Sequence, residues 1–168
     1  MFQVIEPKDH DDHKPLTHLF LESIHNNQEL KKAFSQTKQA TYILMQHEAK
    51  GIYGGAILLK NKISSLHTLL SKHILSSLKG EVWTCNAYLH LDNEKLFPDF
   101  EAFCALFYRD LYMRMREFGE HKGIKYLYVK LIPGEYFCTE VLGSWLYVFE
   151  LKPQESNDGL FHGVLSLK

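Results

Sequence analysis

Tyr88 and His90 lie two residues apart in the run EVWTCNAYLHL, and an extended backbone would set both side chains on one face. A phenol beside an imidazole can act as acid and base in a cleft, or can close into a hydrogen-bonded structural pair. Spacing alone leaves both readings open. Cys85 and Cys138 could attack a carbonyl only with a nearby base or a depressed thiol pKa, and otherwise read as buried, inert thiols. His10 and His13, in the run DHDDH, carry nitrogen and oxygen ligands that suit zinc. The run lacks a required partner spacing, so it reads as a solvated loop or helix start and no metal site is assigned. Arg109, Arg114 and Arg116 could hold a phosphate or an acidic partner, and as a pattern they fit a solvated helix face. Gly54 and Gly55 sit together inside a β-rich run, which predicts either a bulge or the close approach of another backbone or a ligand.

The elements that must position these residues follow from hydrophobic periodicity. Phe2 to Ile5 is a short strand closed by Pro7, and helical intervals from Leu16 to Phe34 predict two short helices or one bent one. Thr41–Gln46 and Ile52–Leu59 form a hairpin, and Ile63 to Leu78 repeats as an amphipathic helix ended by Gly80. Val82–Leu91 is a strand, after which Asp99 can cap a long helix running to Phe118, since a short carboxylate accepts free first-turn amides. Phe100, Phe103, Phe107, Leu111, Met115 and Phe118 make one stripe whose burial contributes on the order of 10 kcal/mol before entropy is counted. Ile124–Leu131 is apolar on both faces, as a central strand should be. A short helical segment leads to a strand at Trp145–Leu151, a polar turn at Pro153–Gly159, and a last strand at Leu160–Leu167 that pairs with it as a hairpin.

Composition bounds the class. With 168 residues, 45% hydrophobic and 23% charged, the chain predicts one globular domain over 1–168 with a packed interior. Nineteen Lys and Arg against 20 Asp and Glu give a net charge of −1, hence no general attraction to nucleic acid or to an anionic membrane. Three widely spaced cysteines without a CxxC pair argue against a disulfide framework and for a reducing cytoplasm. No basic segment precedes a long apolar core at the start, and no window reaches the roughly 18 apolar residues of a membrane span. A soluble, unprocessed cytoplasmic protein is the expectation.

The order of elements resembles the GNAT superfamily of N-acyltransferases over most of the chain. The local matches are YILMQHEAKGIYGGAILL, EVWTCNAYLHL, FYRDLYMRMREFGEHKGIKYLYVKL and VLGSWLYVFEL. The helix inserted between Ile63 and Leu78 is also similar in layout to acyl-homoserine-lactone synthases, which share a GNAT-like fold. The resemblance implies an α/β (α+β) fold with a mixed, mostly antiparallel central sheet flanked by helices. It further implies that the strands at Val82 and Ile124 splay apart and admit the pantetheine arm of acetyl-CoA or another acyl thioester. Backbone groups of Cys85, Asn86, Ala87, Tyr88 and Leu89 would pair with that arm. A small-molecule or peptide amine would attack the thioester, with Tyr88, His90 and Tyr136 as candidates for the proton transfers and charge stabilisation.

One departure shapes the expectation. The family's basic, glycine-rich turn, which offers amides to a pyrophosphate, has as its counterpart DNEKLFPDF, with no glycine and with Asp92, Glu94 and Asp99 against Lys95. Each exposed carboxylate there would repel a pyrophosphate by about 0.5 kcal/mol. The late tyrosine four residues before a glycine is replaced by Thr139, and Tyr136 stands nearly a helical turn earlier. The alternative function is therefore a catalytically inactive GNAT-like module that binds a protein partner. A doubly wound fold is disfavoured by the many hairpin-like strand pairs.

Overall fold

The computed structural model describes residues 2–14, 39–47, 51–62, 81–89, 99–141, 145, 147–157 and 159–168. The helices expected within 16–34 and 63–78, and His90, lie outside them. Among the described residues, seven strands form one sheet: β1 (Phe2–Ile5), β2 (Thr41–His47), β3 (Gly51–Lys62), β4 (Glu81–Leu89), β5 (Tyr126–Leu131), β6 (Phe149–Glu155) and β7 (Phe161–Ser166). Their spatial order is β1-β2-β3-β4-β5-β7-β6. Every neighbouring pair is antiparallel except β4 and β5. Those two are joined by a helical crossover, α1 (Phe100–Lys122), which brings the chain back in the same direction. Another of the described helices, α2 (Pro133–Val141), follows β5. The fold is thus the mixed, mostly antiparallel α+β arrangement expected.

Alternation along the strands divides two apolar layers. On one side Ile43, Ala56, Leu58, Cys85, Ala87, Leu127, Val129, Leu131 and Leu165 pack with the buried stripe of α1. That stripe includes Phe107, Leu111, Met115 and Phe118 as read from sequence, joined by Cys104, Tyr108 and Tyr112, while Phe100 and Phe103 are partly buried at its start. On the opposite side Ile5, Tyr42, Leu44, Ile57 and Leu59 form a second cluster. Among the described residues, no helix is long and apolar enough to cross a membrane.

The ends of α1 are set by local chemistry. Asp99 Oδ1 accepts the Ala102 amide hydrogen at 3.0 Å, and Gly123 closes the helix with a left-handed φ of 69°. The helix therefore runs one turn beyond Phe118. Gly119 does not end it, because the space a Cβ would need is taken by Leu167 and the Ile124 carbonyl, so glycine is what allows β7 to approach.

The last strand pair also differs from expectation. Trp145 belongs to no strand; it is fully buried, and its indole N–H donates to the Tyr108 carbonyl at 2.8 Å. β6 starts at Phe149 and continues through Pro153, which sits in the irregularity between Leu151 and Gln154. A missing N–H is tolerated there because β6 is the edge of the sheet.

Candidate active site

The parallel strands β4 and β5 are laddered over four rungs, Trp83 with Leu127, Thr84 with Tyr128, Cys85 with Val129 and Asn86 with Lys130. β4 then runs on through Ala87, Tyr88 and Leu89. These three remain in register with Ala56, Gly55 and Gly54 of β3, yet have no rung to β5 among the described residues. On its other edge β5 stays paired with β7 throughout, from Tyr126 with Ser166 to Leu131 with Phe161. A strand edge with unmatched amides and carbonyls can pair with an extended guest. Of the five backbone positions expected to face a pantetheine arm, Cys85 and Asn86 lie on rungs with β5, and Ala87–Leu89 lie beyond the last rung.

Tyr136 reaches this region from α2, which packs against both β4 and β5. Its ring stacks on Phe161 with centroids 3.9 Å apart and planes 5° from parallel. Phe161 is the partner of Leu131, one residue past the last β4–β5 rung. The flat stack holds the phenol beside the end of the β4–β5 ladder. Glu135, one residue earlier on α2, is buried. Tyr88 is on β4 in register with Gly55; its side chain, like the whole of His90, lies outside what the structure describes.

Two residues that sequence spacing did not join meet on the opposite face. Tyr128 Oη and His162 Nδ1 are 2.6 Å apart, both buried. Tyr128 shares a rung with Val164, and His162 shares the next same-face rung with Lys130, so the pair is a diagonal across two antiparallel strands. No local signal in sequence links them; only the β5–β7 register does.

At the N-terminus of α1 a phosphate would meet a different environment. The turn at 90–98 lies outside the described residues, but Asp99 does not. Its carboxylate already takes the Ala102 amide at 3.0 Å, and its carbonyl takes that of Phe103 at 3.0 Å. Glu101 adds a second acid in the same turn. The strand edge thus fits the amide-bearing arm of an acyl thioester, whereas the α1 N-terminus does not fit a pyrophosphate.

Most of the remaining candidates have structural partners. Cys85 is fully buried with its thiol 3.5 Å from Met115 Sδ, and burial pushes the thiol far above its ordinary pKa, which removes it as a nucleophile. Cys138 lies on α2, and its side chain is not described. His10 Nε2 bonds the Ala40 carbonyl at 2.7 Å, and His13 Nδ1 is 3.2 Å from Gln3 Nε2. Arg109 and Arg114 pair with Asp110 and Glu117 on the exposed side of α1. Gly55 lies where a Cβ would run into the Ile43 carbonyl. The close approach predicted at the glycine pair is therefore that of β2, and a bulge at Tyr53 accompanies it.

No family model and no curated protein sequence matches the chain. Solved structures do match. FeeM, an N-acyl amino acid synthase from uncultured soil microbes, superposes with a TM-score of 0.55 at 13% identity, over 99% of this chain and 90% of that one. BjaI, a CoA-dependent acyl-homoserine lactone synthase solved with SAM and isopentyl-CoA, gives 0.58 at 13% identity, over 100% and 83%. MesI, another CoA-dependent acyl-homoserine lactone synthase, gives 0.57 at 12% identity, over 100% and 89%. At such identities the likeness is one of fold, and the fold of this chain is GNAT-like.

Proposed function

We propose that the protein is an acyltransferase that moves an acyl group from a carrier thioester to the amine of a small molecule. The observation that carries this is the β4–β5 ladder stopping at Asn86–Lys130 while β4 continues to Leu89. An extended pantetheine arm would lie against Ala87–Leu89 and bring its thioester toward Tyr136. The amine attacks the thioester carbonyl, and Tyr136 protonates the departing sulfur. Tyr88 and His90 complete the polar set on β4 and just past its end. Structural likeness to an N-acyl amino acid synthase and to two acyl-homoserine lactone synthases supports an amino acid or a SAM-like amine as acceptor, in preference to a peptide. The buried free thiols of Cys85 and Cys104 suit a reducing cytoplasm.

A second reading, a binding module without catalysis, is favoured by one observation: the Asp99 carboxylate stands where a pyrophosphate would otherwise accept the first amides of α1. Thiol release and calorimetry separate the two. Acetyl-CoA, octanoyl-CoA and octanoyl-acyl carrier protein are each supplied with a panel of amino acids and SAM. Amine-dependent thiol release supports the transferase. No release and no heat of binding from any donor rejects it.

A further inference from the structure

The two faces of the sheet differ where the β4–β5 ladder ends. Ala87, Val129 and Leu131 belong to the apolar layer packed with α1, and alternation along β5 turns Lys130 to the opposite face. The register agrees. Lys130 is level with Asn86 of β4 and, beyond it, with Ile57 of β3, which belongs to the cluster on that opposite face. A cation thus stands on the last rung itself, level with the residue after which β4 has no rung to β5 among the described residues.

Lys130 is half-buried. Among the described residues no carboxylate pairs with its ammonium, whereas Lys8, Lys14 and Lys122 each meet an acid on the open surface. An ammonium that has given up part of its water without gaining a counter-ion is stabilised by an anion bound beside it. The sheet supplies none. Ile57, Asn86, His162 and Gln154, which share its row, include no acid, and neither do Leu59, Thr84, Tyr128, Val164 and Leu151 in the row behind. The complement this position lacks is an anion carried by a ligand.

We infer that Lys130 receives the carboxylate of the acceptor, which makes the acceptor an α-amino acid or another amine with a carboxylate beside its nitrogen; the assignment rests on the acyl-transfer reading above. In an α-amino acid the nitrogen is two bonds from the carboxylate carbon. A carboxylate held on the last rung therefore keeps the amine beside the end of the ladder, where the thioester is proposed to arrive. The thioester and the amide-bearing arm bring no carboxylate of their own, so of the two reactants the acceptor is the one that answers this charge. Lysine suits the task, because a compact point charge on a flexible four-carbon stem follows one carboxylate without imposing a two-pronged geometry. Lys130 is a positioning and specificity residue and takes no part in the proton transfers.

The test uses the full chain with octanoyl-CoA and octanoyl-acyl carrier protein as donors, and pairs each amino acid, and SAM, with its decarboxylated amine. One charge-assisted contact is worth on the order of 10-fold in affinity, so wild-type protein is expected to show a KM for the carboxylate acceptor at least about that far below that of the matching amine. Lys130→Met should erase the difference by raising the KM of the carboxylate acceptor, and leave kcat and the KM of the decarboxylated amine near wild type. Lys130→Arg keeps a cation and should recover most of the loss. Should Lys130→Met fail to fold, Lys130→Gln carries the same expectation. Wild-type protein that takes the decarboxylated amines as readily as the amino acids overturns the assignment without any variant. A fall in kcat shared equally by both kinds of acceptor also overturns it, because it places Lys130 on the oxyanion. No thiol release from any donor with any acceptor overturns the acyl-transfer reading and the role of Lys130 with it.

Discussion

Asn86 of β4 and Lys130 of β5 form the last rung between the parallel strands. On one side of the sheet Tyr136 stacks on Phe161, on the other Tyr128 and His162 meet at 2.6 Å, and ahead of the rung β4 runs on to Leu89 with no further rung to β5 among the described residues.

Tyr136→Phe tests the acid. The Phe ring keeps the stack on Phe161, so the melting temperature should stay near that of wild type, while kcat falls by about 100-fold through loss of the hydroxyl. Stopped-flow thiol detection and a thermal melt on the same preparation measure both. A variant that melts normally and turns over normally removes Tyr136 from the chemistry.

Asp99 divides into a cap and a charge. Asp99→Asn retains an acceptor for the Ala102 amide and removes the negative charge, so it should bind acyl-CoA more tightly relative to acyl-pantetheine while stability is kept. Asp99→Ala should destabilise the fold by about 1 kcal/mol through loss of the cap. Calorimetry with the two donors and urea unfolding read these outcomes. Equal donor preference in wild type and Asp99→Asn would show that no phosphate comes near α1.

The Tyr108 hydroxyl is buried and has no hydrogen-bond partner among the described residues. Removing it in Tyr108→Phe should stabilise the protein by about 1 kcal/mol, because an unsatisfied buried donor is lost and the edge-on contacts with Phe107 and Trp145 are kept. A shift of the urea midpoint to lower concentration contradicts this.

Glu6 and Lys122 tie the start of the sheet to the C-terminal end of α1. The hydrogen bond from Lys122, aided by the charges of Lys122 and Lys8, holds the Glu6 carboxyl below its ordinary pKa. A depressed carboxylate contributes stability that is present above its unfolded value and lost as the pH falls through its lowered folded value. Both partners are partly exposed, so the contribution is under about 1 kcal/mol. Lys122→Met should narrow the stability difference between neutral and acid pH by that small amount in paired urea titrations. An unchanged difference would show that the pair adds nothing.

The parts legible in the sequence were those with a short-range period. Alternation and turn residues marked β1, β2, β3, β4 and β5 within a few residues, and the aromatic stripe from Phe100 to Phe118 marked the face of α1. Boundaries slipped where a distant partner decided them. Gly119 continues a helix because Leu167 and the Ile124 carbonyl pack against it. Trp145 leaves its expected strand because Tyr108 offers a carbonyl, and Pro153 enters one because it lies at a sheet edge. In the candidate site Tyr136 entered the sequence reading through the family resemblance alone, and Tyr128 and His162, 34 residues apart, meet only because β7 inserts between β5 and β6.

The most direct measurement of the central claim is amide hydrogen exchange at Ala87, Tyr88 and Leu89 with and without octanoyl-pantetheine. An arm laid along the open edge of β4 should slow exchange in this segment and leave the Trp83–Asn86 rungs unchanged. Exchange at Ala87–Leu89 that stays the same under saturating ligand, or protection that appears elsewhere, would contradict the account.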